Sequence, residues 1–234
     1  MPMDKDNKKT IAVYDFDLTI VARDSASCLF RHLIFKNKFR MLLASGLLPF
    51  GLPFLFMGNF RRIGLSIFLW GGTVGMKQDE IDAVFRDFPQ IYFSTESGGK
   101  VYEQAIESIE EHKRAGRKIL VISASPGVMV DQLVKFIFSD DIPVIGSELK
   151  KFFGGMIYAS YCKREKKVVA AKAHGWPVDN WQYGYTDCAS DIPMLAECEF
   201  KYFINPEAKT LKKAQEAFGS GFSVLSWNPV HKDL

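Results

Sequence analysis

Two aspartates, Asp15 and Asp17, follow a short apolar run at residues 11–14. Such a run is typical of a buried strand in a parallel sheet, and ligands of these sheets bind at the carboxyl ends of the strands. Burial and mutual repulsion penalise two carboxylates this close together unless a cation lies between them. We therefore expect a hard divalent ion such as Mg²⁺ here, with one carboxylate free to attack an electrophile. The alternative interpretation is an ordinary polar loop after a strand.

Small hydroxyl residues end a second apolar run, at residues 118–122. Ser123, Ala124 and Ser125 follow it, and a Pro-Gly pair at 126–127 is placed to open a helix. Hydroxyl groups and free backbone N–H groups at a helix start form a cradle for an anion. Either serine would also serve as a helix N-cap, a role that is compatible with phosphate binding.

A third strand-like run, residues 181–185, is followed by Asp187 and Asp191. With Asp187 at the strand end and Asp191 in the first helical turn, both are predicted to converge on one metal with Asp15 and Asp17. The alternative is a helix start carrying acidic residues that suit the helix dipole.

A basic run at residues 163–167 precedes the next predicted helix. Alone it indicates a solvated charge cluster. Beside three strand ends that carry acids and hydroxyls, however, one lysine is needed to neutralise a phosphate near an aspartate nucleophile.

The four motifs, in this order, resemble those of the haloacid dehalogenase (HAD) phosphatases: DxDx[TV], a Ser or Thr after the second strand, a Lys, and an acidic pair. The resemblance implies that Asp15 is a nucleophile that forms an aspartyl-phosphate and that Asp17 is the general acid and base. Ser123 and Lys167 would hold the transferring phosphoryl group. Ser125 and Lys166 stay open as alternatives to these two.

The same resemblance implies Mg²⁺ as the cofactor. Asp187 would bind it together with Asp15 and the Asp17 carbonyl, and Asp191 would support it directly or through water. A non-catalytic scaffold that retains the fold is a competing hypothesis, and the intact acids at all of these positions argue against it.

Within the superfamily the chain is similar to subfamily IB, and in particular to the membrane-associated phosphatidylglycerophosphatase C group. Residues 65–75, Cys162 with the Glu-Lys-Lys-Val run after it, and residues 184–187 carry this likeness. It implies removal of the terminal phosphate of phosphatidylglycerophosphate. A soluble phosphatase of a small phosphomonoester such as phosphoserine is the alternative, although Asp24 stands where phosphoserine phosphatases carry a substrate-reading Glu.

The expected fold class is α/β: a Rossmann-like HAD core with a parallel sheet flanked by helices, plus a helical type 1 cap. We predict the core at residues 8–24 and 99–234 and the cap at 25–98. Within the core, residues 101–115 are expected to form an amphipathic helix that stops at Gly116. Residues 152–158 are expected to form a hairpin with a Gly-Gly turn.

The cap contains an apolar segment, residues 39–57, with no charged residue between 41 and 57. Because Pro49, Pro53 and two glycines interrupt it, a bent or re-entrant hairpin or interfacial helices fit better than one straight span. The alternative is a soluble cap that buries these side chains. Arg61 and Arg62 are candidates for the second, non-scissile phosphate of a lipid substrate. The predicted substrate-binding set is Thr19, Asp24, Arg61, Arg62, Ala124 and Ser125.

The composition narrows the remaining possibilities. The formal charge of +3 is too small to indicate nucleic-acid binding. The four cysteines form no CxxC pair, so neither zinc nor a disulfide framework is indicated and a reducing compartment is expected. Residues 1–9 are charged and lack an apolar stretch, so no secretory signal is expected. We expect a bacterial-type cytoplasmic membrane protein with its core facing the cytoplasm, or alternatively a soluble cytoplasmic one; the oligomeric state stays open.

Overall fold

The computed structural model describes residues 10–58 and 60–231. The predicted lack of a signal in residues 1–9, and the outermost residues of the predicted core, lie outside this part of the chain. The strands are β1 (Ile11–Tyr14), β2 (Val101–Tyr102), β3 (Lys118–Pro126), β4 (Val144–Ser147), β5 (Leu149–Phe152), β6 (Gly155–Tyr158), β7 (Trp181–Thr186), β8 (Phe200–Ile204), β9 (Ser223–Leu225) and β10 (Pro229–Val230). The helices are α1 (Ser25–Phe35), α2 (Lys38–Phe56), α3 (Arg61–Thr73), α4 (Gln78–Phe93), α5 (Glu103–Arg114), α6 (Gly127–Phe138), α7 (Glu165–Ala173), α8 (Ile192–Ala196) and α9 (Ala208–Phe218).

Across the described residues, six parallel strands form one sheet in the order β4-β3-β1-β7-β8-β9. The central strand β1 is buried along its whole length because both faces of the sheet are covered. Ala12 and Tyr14 pack into the hydrophobic cluster on one face, and Ile11 and Val13 pack into the cluster on the other. A continuous apolar run is what a strand covered on two sides requires. The predicted α/β fold with a parallel sheet flanked by helices is confirmed.

Four helices, α1 to α4, form a layer between the loop after β1 and strand β2. The two connections of this layer are hydrogen-bonded to each other: the Ala22 N–H donates to the Lys100 carbonyl (2.9 Å), and the Tyr102 N–H donates to the Ile20 carbonyl (3.0 Å). The helical character predicted for residues 25–98 is confirmed as far as Phe93, where α4 ends. The layer also shares one hydrophobic cluster with the sheet, and the Phe93 ring of α4 stacks on Phe136 of α6 at 5.4 Å. The division into core and cap domains stays a prediction.

Helix α2 runs unbroken from Lys38 to Phe56, although a break was expected near its prolines. A hairpin does form, but between α2 and α3 rather than inside α2. The two helices lie very close together, because a Cβ on Gly64 would come within 2.8 Å of the Gly51 carbonyl oxygen. Pro49 and Pro53 thus lie within a continuous helix against which α3 packs closely. By length and composition α2 could cross a membrane, with mean hydropathy 1.6 and little of it buried.

The helix and the hairpin predicted in the core are both present, with the start of the helix shifted by two residues and the turn of the hairpin by one. The helix expected at 101–115 begins at Glu103, because Val101 and Tyr102 pair with β10 as a short antiparallel strand. In the hairpin of β5 and β6, the turn is Phe153-Gly154 rather than Gly-Gly. Both turn residues have positive φ, as the hairpin geometry requires, and Phe153 adopts it without being a glycine.

Candidate active site

The loop after β1 presents its two aspartates to a common cavity. The Asp15 N–H still donates to the Tyr185 carbonyl of β7 (2.9 Å), so the sheet fixes this residue. The chain then turns sharply, since the Phe16 carbonyl accepts hydrogen bonds from three successive N–H groups, and Leu18 has φ of 60°. Phe16 is fully buried, whereas Asp15 and Asp17 line the cavity.

Lys167 is a buried cation held between two carboxylates. Its Nζ lies 2.6 Å from Asp15 Oδ1 and 2.7 Å from Asp191 Oδ2. Burial alone would lower the pKa of Lys167, but the two aspartates outweigh it and raise the pKa above its ordinary value. Lys166 is exposed on the other side of the same helical turn, and Lys167 rather than Lys166 lines the cavity.

Asp17 is held by groups from two other segments. The Ser125 hydroxyl donates to Asp17 Oδ2 (2.5 Å), and the Ser25 backbone N–H donates to Oδ1 (2.7 Å). Burial, and then the nearby charge of Asp24, raise the pKa of Asp17 to about 6. A carboxyl group with this pKa is suited to exchange a proton near neutral pH.

Ser123 and Ser125 occupy different positions at the end of β3. The Ser123 hydroxyl is fully buried at the cavity wall and accepts the Ser125 N–H (3.0 Å). Ser125 is committed to Asp17, which leaves the Ser123 hydroxyl proton available to a bound anion. Ala124 also lines the cavity, and its carbonyl accepts from the Ser147 hydroxyl (2.6 Å).

The two acids after β7 have different surroundings. Asp191 is fully buried and bound by Lys167 and by the Thr186 hydroxyl (2.9 Å). Asp187 has no salt bridge to a described lysine or arginine, and burial followed by repulsion from Asp191 raises its pKa to about 6. Asp191 is therefore paired with a lysine, whereas Asp187 is a partly buried carboxylate without a paired cation among the described residues.

The active-site cavity that these side chains line has a volume of about 460 Å³. It lies between the carboxyl ends of the strands and the helical layer. Its residues group into acids and hydroxyls of the strand ends, cations, and apolar or aromatic side chains from α1, α2, α3 and β6. The lining is Asp15, Asp17, Leu18, Asp24, Ala26, Ser27, Phe30, Arg31, Ile34, Leu55, Arg61, Leu65, Phe68, Ser123, Ala124, Ser125, Tyr158, Tyr161, Lys163, Lys167, Asp187, Cys188, Ser190 and Asp191.

Two predicted substrate-binding residues do not line this cavity. Thr19 is fully buried beneath the loop, because the turn directs its side chain into the protein. Arg62 points elsewhere and donates to the Ala159 carbonyl (3.1 Å), since neighbouring residues on a helix are about 100° apart. Arg61 does line the cavity, as does Asp24, whose Oδ1 also caps α1 by accepting the Ser27 N–H (2.8 Å).

The oxygen atoms that line the cavity are suited to Mg²⁺, but the four carboxylates do not converge on one point as expected. Among the described residues, no three His, Cys, Asp or Glu side chains are grouped as a metal centre. Both oxygens of Asp17 accept hydrogen bonds, from Ser25 and Ser125, and Asp191 Oδ2 accepts from Lys167 and Thr186. Asp15 Oδ2, the Asp187 carboxylate and Asp191 Oδ1 remain, the last with only a 3.4 Å contact from the Ser190 hydroxyl. Mg²⁺ typically uses one or two carboxylates and keeps several waters.

A comparison with protein-family models identifies the fold family. The model described as haloacid dehalogenase-like hydrolase matches residues 12–196, from the buried strand β1 to the end of α8. The chain belongs to this HAD family. The match includes every predicted catalytic and metal-binding position.

Relatives with curated descriptions are distant from this HAD protein. It is 27% identical over 134 residues to the "Inhibition of morphological differentiation protein" of Streptomyces azureus, a match that covers 55% of this chain and 47% of that one. It is 25% identical over 234 residues to a Mycobacterium tuberculosis protein named as a probable phosphatase, covering 94% of this chain and 76% of that one. The chain thus spans about half of the first relative's length.

Among solved structures, the chain is similar to phosphoserine phosphatase in its apo form. The TM-score is 0.59 at 16% sequence identity, and the match covers 93% of this chain and 94% of the other. At this level of identity the likeness establishes the shared fold.

Several residues of this HAD site carried no separate signal in the sequence. Tyr158 and Tyr161 line the cavity from β6 and the segment after it, and Lys163 was visible only as one member of a basic run. Thr186 binds Asp191 from inside the fourth motif. Its position directly before Asp187 is the signal that could have indicated a structural role.

Proposed function

We propose that this protein is a Mg²⁺-dependent phosphatase that removes the terminal phosphate of phosphatidylglycerophosphate by way of an aspartyl-phosphate. The observation that carries the lipid part of the proposal is the exposed apolar surface of α2 and of the turn to α3, which adjoins the active-site cavity. Phosphatase chemistry is supported by family membership and by the pairing of Asp15 with Lys167.

The proposed reaction has two steps that share the same residues. Asp15 Oδ2 attacks phosphorus, the bond to the substrate oxygen breaks, and Asp17 gives its proton to the leaving alkoxide. Asp17 then takes a proton from water, which attacks the phosphorus of the aspartyl-phosphate and restores the Asp15 carboxylate. Its pKa of about 6 suits both directions of transfer.

The phosphoryl group would be held by Lys167, the Ser123 hydroxyl and the free N–H groups at the start of α6. We assign Asp15, Asp187 and the Asp17 carbonyl as the residues that would hold Mg²⁺. The bound ion would neutralise charge on the phosphoryl oxygens. Asp191 keeps the lysine ammonium in place through its 2.7 Å contact.

The apolar surface supports a substrate at a bilayer. Phe39, Leu42, Phe50 and Phe56 are each at least 66% exposed, so α2 presents a large apolar patch to its surroundings. Contiguous apolar patches of this kind mark interaction sites rather than ordinary protein surface. Leu55 belongs to the same helix and lines the cavity, so a lipid lying against α2 would have its head group near Asp15. We therefore propose location at the cytoplasmic face of a membrane.

A second candidate is a phosphatase of a small metabolite such as phosphoserine. Asp24, Ser27 and Arg31 give the cavity polar groups that would recognise an amino acid. The similarity in fold to phosphoserine phosphatase is compatible with this candidate, and in that case another surface would have to cover α2.

The substrate is tested by phosphate release from phosphatidylglycerophosphate, phosphatidate and phosphoserine, each with Mg²⁺ and with EDTA. We expect the highest kcat/KM with phosphatidylglycerophosphate, no release in EDTA, and release by Asp15→Asn that is at least about a thousandfold slower than by the wild type. Preference for phosphoserine would favour the second candidate, and faster release by Asp15→Asn than this would contradict the mechanism.

The role of α2 is tested separately by sedimentation with vesicles that contain anionic phospholipid. Phe50→Glu is expected to reduce binding strongly, because a charge would have to enter the apolar region. Val169→Glu is the matched control, since Val169 is similarly exposed (62%) but lies on α7. Equal binding by both variants would refute membrane contact through α2.

A further inference from the structure

Two cations line the active-site cavity without belonging to the catalytic cluster. Arg61 is the first residue of α3, and Lys163 lies between β6 and α7. They therefore reach the cavity from the helical layer and from the core respectively. The two residues are far apart in the sequence, and the fold brings both to the same cavity.

Both cations lack a counter-ion among the described residues. Neither takes part in a salt bridge there, and the buried Arg61 Nε has no hydrogen-bond partner. Lys167, by contrast, has two carboxylates within 2.7 Å. Burial, followed by the positive charge of Arg61, lowers the pKa of Lys163, so the two cations repel each other in the cavity that both line.

The acids in the same cavity form no salt bridge with this pair. Asp191, whose charge acts on Lys163, is already bound to Lys167 and Thr186. Asp24 and Asp187 also line the cavity, and neither is within salt-bridge distance of Arg61 or Lys163. Desolvated charges without partners are costly, and proteins keep such arrangements where a ligand supplies the opposite charge. Tyr161 also lines the cavity, and its hydroxyl could donate a hydrogen bond to an anion.

We propose that Arg61 and Lys163 together bind a second anionic group of the substrate, distinct from the phosphoryl group that reacts with Asp15. This rests on the proposed phosphatase function and specifies its substrate class: a phosphomonoester that carries another negative charge. A phosphodiester, as in a phospholipid head group, fits a planar guanidinium beside an ammonium. Lys163 thereby takes the place expected for Arg62.

The test compares two soluble substrates, so that membrane binding does not enter. Glycerophosphoglycerophosphate carries both a monoester and a diester phosphate, whereas glycerol 3-phosphate carries only the monoester. For Lys163→Met and Arg61→Met we expect KM for the first substrate to rise about ten- to a hundredfold. The rise for glycerol 3-phosphate should be at least tenfold smaller, and Lys163→Arg should restore most of the affinity.

Lys166→Met is the matched control, because Lys166 is exposed and lies outside the cavity. Thermal denaturation establishes that each variant is folded. Equal losses on both substrates, or no loss on either, would overturn the proposal.

A binding experiment separates this inference from the proposed function. Glycerophosphoglycerol has the diester but no scissile phosphate, so its calorimetric titration requires no turnover. We expect weaker binding to Lys163→Met than to wild type and Lys166→Met. If the wild type hydrolysed neither phosphomonoester but Lys163→Met still bound glycerophosphoglycerol more weakly, the proposed phosphatase function would be wrong and the anion site would be supported. Equal binding by wild type, Lys163→Met and Lys166→Met would overturn the anion site.

Discussion

Replacing Asp187 by Asn is expected to stabilise the metal-free protein and to remove its stabilisation by Mg²⁺. Burial and repulsion from Asp191 raise the pKa of Asp187 from 3.8 to about 6. For the ionised form at pH 7 this corresponds to a penalty of about 3 kcal/mol at most. Because the side chain is only partly buried, we expect Asn to raise the free energy of unfolding by about 1–2 kcal/mol.

The sign of the pH dependence follows from the same pKa. Between pH 3.8 and about 6 the folded state binds more protons at Asp187 than the unfolded state does. The penalty therefore grows as the pH rises through this window and is complete above it. The advantage of Asp187→Asn should be full at pH 7 and should vanish below about pH 4.

Urea denaturation followed by far-UV circular dichroism measures the effect, in EDTA and in Mg²⁺. Asp191→Asn should have the opposite sign and destabilise by about 1–3 kcal/mol, because Asp191 is bound to Lys167 and Thr186. Asp141→Asn, at a side chain 95% exposed, is the neutral control. A destabilised Asp187→Asn in EDTA, or equal Mg²⁺ shifts in variant and wild type, would refute the reasoning.

Three other predictions test the nucleophile, a buried histidine and the helix packing. Asp15→Asn should lower phosphate release at least about a thousandfold with an unchanged far-UV spectrum, because an amide cannot attack phosphorus. Burial, and then the charge of Arg117, lower the pKa of His112 from 6.5 to about 4. The free energy of unfolding should therefore fall by up to about 3 kcal/mol as the pH drops through this window. In urea titrations, His112→Gln should show a weaker dependence of this free energy on pH than the wild type does. Gly64→Ala should destabilise by about 1–3 kcal/mol in thermal melts, whereas Gly46→Ala, with nothing within 4 Å of the new Cβ, should stabilise by about 0.5–1 kcal/mol.

The strand-end residues could be predicted from the sequence because their placement follows from local rules. An apolar run marks β1, β3 and β7, and parallel strands bring their carboxyl ends to one edge. Asp15, Ser123 and Asp187 therefore had to lie near one another, and they line one cavity. Lys167 and Lys166 stayed open as alternatives in the sequence, and it is the rotation of α7 that buries Lys167 and exposes Lys166.

Other features depend on contacts that no local pattern specifies. Whether Arg61 or Arg62 enters the cavity depends on the rotation of α3, which packing against α2 and β6 determines. The close packing of α3 on α2 depends on Gly51 and Gly64, because a Cβ at either position would clash with the other helix. Which oxygens of Asp17 are free likewise depends on a distant residue, because Ser125, 108 residues away, donates to Asp17 Oδ2.

The hydrophobic cluster that runs from β1 through α6 and α4 into the helical layer has an energetic consequence. Elements that share one core are expected to unfold as a cooperative unit, so we expect no separate melting transition for α1, α3 and α4, which contribute side chains to this cluster. Any ligand that binds only the native form of α3 then raises the stability of the loops around Asp15 by mass action. Ligand binding to the helical layer and unfolding of the active-site loops are thereby linked equilibria.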